Sequence, residues 1–400
     1  LNTPVENPGN GKEIPMNLPN SRLGDPQSLG LDQGAVDKLL ARVRREVDEG
    51  LLPAVQIAIA RHGKVGVLAH FGDCDDDSLF CLFSATKGIT SAAAWLLFQS
   101  GKLQESEKVA DIVPGFAANG KDQVTVAHLF THTAGFPAAP FRPEDWLDPV
   151  RRAARFSQWR LSWPAGSRYE YHPTSTMWVI AEIIERRSGM RYVDFVRQHV
   201  TQPLGLNDLI VGLEGERDNA RALNATHVGQ RMTPEEYKAM GLPTPPVTEV
   251  TEEAILNFNK PVNRAVGVPG GGGFATAADL ALFYQSLLHG GLDGESIWSE
   301  TTRMNVRRVR TGELRDPYTG KLANRGLGII IAGDNDRGFR GFGKTCSAEA
   351  FGHNGAGGQL AWVDPATGIS IGYLTNGHDR NEIRQGRRGV AIGSLAAQLA

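Results

Sequence analysis

Ser84-Ala85-Thr86-Lys87-Gly88-Ile89-Thr90-Ser91-Ala92-Ala93-Ala94-Trp95-Leu96 is the stretch on which the reading turns. Ile89, Ala92, Ala93 and Leu96 recur at helical spacing, so a helix is predicted to begin at Ser84. Lys87 then lies one turn on, and the two side chains share a face. A helix N-terminus carries partial positive charge, which favours an oxyanion beside it. A buried lysine with a lowered pKa is able to take a serine proton. The plain alternative is an N-cap serine followed by a surface lysine, and the tetrapeptide alone leaves both open.

Upstream, Asp32 opens an amphipathic helix carrying Val36, Leu39, Leu40, Val43 and Val47, which Gly50 stops. Val55, Ile57 and Ile59 alternate in the first arm of a hairpin; His62-Gly63 turns it and residues 65–68 return. Downstream, residues 100–265 read as helices joined by long loops. The clearest helix runs from Pro173 to Arg187, with Gly189 as its cap. Residues 210–265 are charged and weakly periodic, the pattern of loops that wall a cleft. Strands return at 327–332, 360–363 and 369–374, with a turn at 364–368 and a terminal helix over 386–399. Strands near both ends with helices between predict a sheet built from both termini around a helical insertion.

The chain has 400 residues, 41% of them hydrophobic and 22% charged, so it buries a sizeable core and is not disordered. Its formal net charge of −2 leaves no basic excess for phosphates, and no nucleic-acid partner is expected. The three cysteines make neither a disulfide framework nor a CxxC pair. No apolar run approaches the ~18 residues of a membrane span, so no membrane partner is expected. The first thirty residues lack a signal-peptide pattern, although Leu1 admits a leader already removed; the expectation is cytoplasmic.

Three other motifs compete with Ser84. Gly338-Phe-Arg-Gly-Phe-Gly343-Lys344-Thr345 matches a phosphate loop, but glycines at 352 and 355 deny it the long helix it needs. Gly368-Ile-Ser370-Ile-Gly372 matches a nucleophile elbow, yet Ser370 sits inside an apolar alternation that reads as plain strand. His128 and His132 are spaced to share a helix face, but the glutamate of the metalloprotease pattern is missing, so no metal site is expected.

With Ser84-Ala-Thr-Lys87 the chain resembles the serine β-lactamase and penicillin-binding-protein superfamily. It is most similar to the branch holding class C β-lactamases, family VIII carboxylesterases and D-stereospecific peptidases. Four further segments match in order: Leu129-Phe-Thr-His132-Thr-Ala-Gly-Phe136, Pro164-Ala-Gly-Ser-Arg-Tyr-Glu-Tyr171, Gly270–Gly273 with Ala275-Thr-Ala-Ala-Asp279-Leu, and Gly352-His353-Asn354-Gly355. The resemblance implies Ser84 as a nucleophile that forms an acyl-enzyme. It implies Lys87 and Tyr171 as the proton-transfer pair, with the choice of base left open and Tyr169 as the competing tyrosine. It implies an oxyanion hole from the Ser84 N–H and one on a strand just after Gly355, at Ala356. His353 stands where β-lactamases place a lysine that meets the drug's carboxylate.

Two departures stand out. Pro173, two residues after Tyr171, replaces an asparagine whose amide binds substrate. The third-motif lysine is lost, and Lys344-Thr345 cannot replace it because Cys346 follows where glycine is needed. Both are more typical of esterases. The fold class expected is α/β (α+β), β-lactamase/DD-peptidase-like, with an antiparallel sheet flanked by helices and an inserted mostly helical domain. The expected division is an N-terminal arm over 1–30, a sheet domain over 31–83 plus 300–400, and a helical domain over 84–299. The expected activity is hydrolysis of small esters through an acyl-enzyme, without cofactor or metal. The alternatives are a β-lactamase or D-amino-acid peptidase, and a binding or sensor protein that deacylates slowly.

Overall fold

The computed structural model describes residues 18–241, 244 and 251–400. Among them eleven strands run in chain order: β1 (Ala54–Arg61), β2 (Lys64–Gly72), β3 (Phe80–Cys81), β4 (Leu209–Val211), β5 (Thr226–Val228), β6 (Gly273–Ala275), β7 (Ile330–Ile331), β8 (Phe351–Gly352), β9 (Leu360–Asp364), β10 (Ile369–Thr375) and β11 (Gly377–Asp379). Five helices frame the site: α1 (Gln33–Asp48), α2 (Thr86–Gln99), α3 (Ser175–Ser188), α4 (Ala277–His289) and α5 (Glu382–Ala396).

Six strands form one antiparallel sheet in the order β2-β1-β10-β9-β8-β7. The two ends of the chain meet in it, since Val55 pairs with Thr375 and Ala60 with Ser370. The hairpin turn works because His62 and Gly63 both take positive φ, at 55° and 74°, which suits the twist of the flanking strands. The period-2 alternation of β1 sorts its side chains to two cores. Val55, Ile57 and Ile59 join Val36, Leu39 and Val43 of α1 and Ile392 of α5. Ala54, Ala58 and Ala60 join Leu280 and Phe283 of α4 on the other face. Each buried Val or Ile contributes about 1.5–3 kcal/mol.

Small residues let α4 approach the sheet closely. A Cβ at Gly372 would lie 2.2 Å from the Ala277 carbonyl oxygen, so only glycine fits there. Two smaller sheets complete the frame, β3-β6-β4 and the parallel pair β11-β5. The first sets the chain just ahead of Ser84 against Gly273–Ala275.

The architecture is the expected antiparallel sheet flanked by helices, with a mostly helical stretch inserted between its N- and C-terminal strands. Several boundaries differ. Asp32 caps α1 as expected, accepting from the Ala35 N–H at 2.7 Å. The strand expected over 327–332 shrinks to β7, because Gly328 turns the backbone at φ 78° and presses its loop onto Ser91 of α2. Pro173 does not enter α3; Thr174 is the N-cap, and Gly189 ends the helix at φ 74°. The C-terminal helix starts at Glu382, ahead of its expected position. Region 210–265 holds short helices such as Glu216–Arg221 and Pro261–Val266, too brief to print a periodicity.

Of the expected arm over 1–30, residues 1–17 lie outside the described residues. Beyond them Arg22 is buried; it pairs with Asp293 at 2.8 Å and donates to the Leu204 carbonyl at 2.5 Å. Among the described residues no helix is long and apolar enough to cross a membrane.

Candidate active site

Ser84 does not lie in α2 itself. It occupies a 3-10 turn, Phe83–Ala85, and α2 begins at Thr86. Phe83, the residue before the serine, takes φ 44°, a left-handed conformation that costs a non-glycine residue about 1–3 kcal/mol. Its ring is held by edge contacts with Phe258 and His378, at 5.7 and 6.5 Å between centroids. The turn leaves Ser84 partly exposed while both neighbours are buried.

The one-faced helix expected at α2 is buried nearly all round, from Thr86 through Trp95. Thr86, Lys87 and Thr90 pair with the 269–273 segment. Thr86 Oγ1 accepts from the Gly273 N–H at 2.9 Å, and Thr90 Oγ1 donates to the Pro269 carbonyl at 2.9 Å. Lys87 is fully buried, not a surface lysine. Its Nζ donates to the Gly270 carbonyl at 2.8 Å and to Ser84 Oγ at 3.2 Å.

The Tyr171 phenol oxygen lies 2.9 Å from Ser84 Oγ, from a residue 87 positions away. The expected trio of Ser84, Lys87 and Tyr171 thus meets around one hydroxyl. Burial pushes the Tyr171 phenol up, but the Lys87 charge, hydrogen bonds with Lys87 and Ser84, and the Arg325 charge outweigh it. The phenol is held below its ordinary value. Tyr169 is not an equivalent choice: its hydroxyl accepts from Arg325 Nε and Nη2, at 3.1 and 2.8 Å, and burial pushes its pKa up.

His132 packs on Tyr171 at 4.8 Å between ring centroids. It does not share a helix face with His128, because the helix ends at Phe130 and His132 itself takes φ 57°. His132 Nδ1 accepts from the His172 N–H, and His128 Nδ1 from the Thr125 N–H. Both histidines accept from backbone N–H groups, His128 within its own turn and His132 from a segment forty residues on. Burial drives His132 well below its usual value, with the charges of Arg325 and Lys87 adding to it.

His353 is also buried and lies 6.1 Å from the Tyr171 ring. Its Nδ1 faces the Asn354 carbonyl at 3.0 Å and its Nε2 faces Arg325 Nη1 at 3.3 Å. That pattern fits a neutral ring with the proton on Nδ1. Burial, then the charges of Arg325 and Lys87, push its pKa well down. Both ring nitrogens are therefore occupied.

The strand expected just after Gly355 is a 3-10 turn, Ala356–Gly358, and β9 starts only at Leu360. The reason is Gly357, whose φ of 79° breaks an extended path. Gly355 earns its place by proximity, since a Cβ there would sit 2.2 Å from the Leu82 carbonyl oxygen. Its N–H is spent on the Gln359 carbonyl at 3.1 Å. Gln359 Nε2 ties the same turn to the Cys81 carbonyl at 2.9 Å. Ala356 thus follows a residue packed directly against the chain that leads into Ser84.

The rival motifs are accounted for. Ser370 Oγ is buried, donating to the Ala281 carbonyl at 2.7 Å and accepting from Gln285 Nε2 at 3.0 Å. Lys344 and Thr345 tie a loop to Ser394 of α5 and precede no helix. Two contacts of the trio went unread: the Gly270 carbonyl, which holds Lys87 although Gly270 lies in a matched segment, and Arg325, which touches Tyr169 and His353. Both act across more than a hundred residues of chain, or across a fold that only tertiary packing creates.

A serine that touches both a buried lysine and a phenol of lowered pKa, in a fold whose main sheet is built from both chain ends, defines a serine hydrolase of β-lactamase-like fold. The chain belongs to the Beta-lactamase family, whose model matches residues 39–393. It is 26% identical over 319 residues to Esterase/beta-lactamase LipL of Mycobacterium tuberculosis, covering 75% of this chain and 70% of that protein. It is 24% identical over 388 residues to a putative D-alanyl-D-alanine carboxypeptidase of Escherichia coli, covering 88% of this chain and 84% of that one. The solved structure of a family VIII carboxylesterase is similar with a TM-score of 0.73 at 26% identity, covering 91% of this chain and 98% of that one.

Proposed function

We propose that the protein hydrolyses carboxylic esters of small acyl groups through an acyl-enzyme on Ser84. The observation that carries this reading is the convergence of Lys87 Nζ, 3.2 Å away, and the Tyr171 oxygen, 2.9 Å away, on the Ser84 hydroxyl. Tyr171 in its ionised form takes the Ser84 proton as Oγ attacks the ester carbonyl. Lys87 supplies the positive charge that, against burial, lowers the phenol below its ordinary value and favours the phenolate. The Ser84 and Ala356 N–H groups face the developing oxyanion. Tyr171 then returns the proton to the departing alcohol. Water then attacks the acyl carbonyl and gives a proton to the same phenolate; the bond to Ser84 Oγ breaks, Oγ takes that proton from Tyr171, and the acid leaves with serine and phenolate restored.

Two features favour esters over β-lactams. Pro173 brings no side-chain amide to the position two after Tyr171. His353 is neutral with both nitrogens engaged, so it offers no full charge to a substrate carboxylate. The similar family VIII carboxylesterase supports the same choice, whereas LipL carries both names, esterase and beta-lactamase, and favours neither. The test compares a short-chain p-nitrophenyl ester, a D-amino-acid amide and nitrocefin side by side. Ester turnover is expected to dominate and to vanish in Ser84→Ala, with the acyl adduct on Ser84 caught by mass spectrometry. Faster turnover of the amide or nitrocefin replaces this reading with a peptidase or β-lactamase. A lasting adduct without turnover replaces it with a sensor.

A further inference from the structure

Arg325 lies in the loop ahead of β7 and is only 7% exposed. Among the described residues it makes no ion pair with a carboxylate. Asp316, which acts electrostatically on Tyr169, is not bonded to it. Its guanidinium is held instead by neutral acceptors, the Tyr169 hydroxyl on Nε and Nη2 and His353 Nε2 on Nη1. A buried cation held only by neutral groups is costly. Its Cζ sits 5.4 Å from the Tyr171 ring centroid, and Lys87 Nζ sits 5.2 Å from the same centroid.

The groups that face Tyr171 come from five elements. Ser84 comes from the 3-10 turn, Lys87 from α2, His132 from the turn after Phe130, Arg325 from its loop and His353 from the segment after β8. Burial and nearby positive charge hold both imidazoles neutral. The only full charges among these neighbours are therefore the two cations. The negative charge that offsets them is the one that forms on Tyr171 itself.

We propose that Arg325 is a positioning residue for the reaction: anchored by Tyr169 and His353, it supplies the second positive charge that stabilises the Tyr171 phenolate. The proposal rests on the reading of Tyr171 as the group that takes the Ser84 proton. It also gives His353 a task. Its lone pair on Nε2 fixes the guanidinium, and a protonated ring would repel it.

The experiment is the pH profile of kcat/KM for a short-chain p-nitrophenyl ester in the full chain. In the wild type the rate rises with pH as Tyr171 ionises. Arg325→Gln keeps a hydrogen-bond donor and loses the charge. Its rising limb is expected to move up by about one pH unit, a loss of about tenfold at neutral pH that shrinks in alkali. Arg325→Lys keeps the charge and is expected to hold the limb in place even if the rate falls. A folded Arg325→Gln whose rate drops equally at every pH overturns the proposal and leaves Arg325 a packing residue. If Arg325→Gln fails to fold, Arg325→Lys decides, since a limb that moves up with the charge retained overturns the proposal. Ser84→Ala and Tyr171→Phe are run beside them. Retained ester hydrolysis in either one removes the underlying mechanism; its loss with an unmoved limb in Arg325→Gln removes only the role given to Arg325.

Discussion

The Gly270 carbonyl accepts from the Lys87 ammonium at 2.8 Å, and this one bond, spanning 183 residues of chain, aims the amine at Ser84. A Cβ at position 270 would meet Lys87 Nζ at 3.4 Å, Met177 Cγ at 3.3 Å and the Pro173 carbonyl at 3.2 Å. Gly270→Ala is therefore expected to displace the amine by a few tenths of an ångström. The outcome is a kcat lowered by about tenfold with KM nearly unchanged. Steady-state kinetics on a chromogenic ester check it.

Lys87→Met and Tyr171→Phe each remove one of the two groups proposed to handle protons. Each should lower kcat/KM by about 10²- to 10⁴-fold. Lys87→Met also removes a fully buried charge, so its thermal midpoint is expected not to fall along with the activity. Parallel losses of activity and midpoint would assign Lys87 to the core rather than to chemistry.

Ser370→Ala separates motif from mechanism. Its hydroxyl bridges Ala281 and Gln285 inside the sheet–α4 interface, remote in role from Ser84. Expected is unchanged kcat and a stability loss of about 1 kcal/mol, read by urea unfolding.

Gly355→Ala tests the close approach of the 353–356 segment to the Ser84 turn. The added methyl would fall 2.2 Å from the Leu82 carbonyl oxygen, a backbone atom that cannot swing aside. The segment must retreat, carrying the Ala356 N–H with it. A drop in kcat of about tenfold or more is expected, with burst kinetics showing that acylation is the slowed step.

Asp279 gives the protein a pH-dependent component of stability. Burial, then the Asp208 carboxylate, push it from 3.8 up to about 7, against the Asp208 N–H that donates to it and the charges of Arg22 and Arg221. The folded chain holds this proton more tightly than the unfolded one. The contribution is therefore complete below about pH 4 and lost as pH rises through about 7. Asp279→Asn keeps an acceptor for the Asp208 N–H and stays neutral. It should gain on the wild type between those limits, by up to about 1.4 kcal/mol per pH unit. Urea titrations of both proteins at about pH 5 and about pH 8 check this; a constant gap between them rejects it.

Local patterns were the readable part of the chain. The Asp32 cap, the alternation of β1 and the His62-Gly63 turn are decided within a few residues, and they appear where expected. Ser84, Lys87 and Tyr171 were legible through ordered segments that match a family, not through spacing. The positive φ of His132 was not legible, because a non-glycine residue turns left-handed only when its surroundings compel it. The 3-10 turn at Ala356 and the guanidinium of Arg325 were hidden for a related reason. Each takes its position from partners distant in sequence, such as Cys81 for Gln359 and Tyr169 for Arg325.

The pairing of β1 with β10 has a bearing on biosynthesis. During translation the first hairpin emerges some three hundred residues ahead of the strand it must lie beside. Until that late strand clears the ribosome, Ile57 and Ile59 have no neighbour on that edge and remain open to collapse with other nascent chains. Fragments from early termination would carry the serine without the scaffold that seats it, which makes this a chain whose maturation waits on β8 to β10.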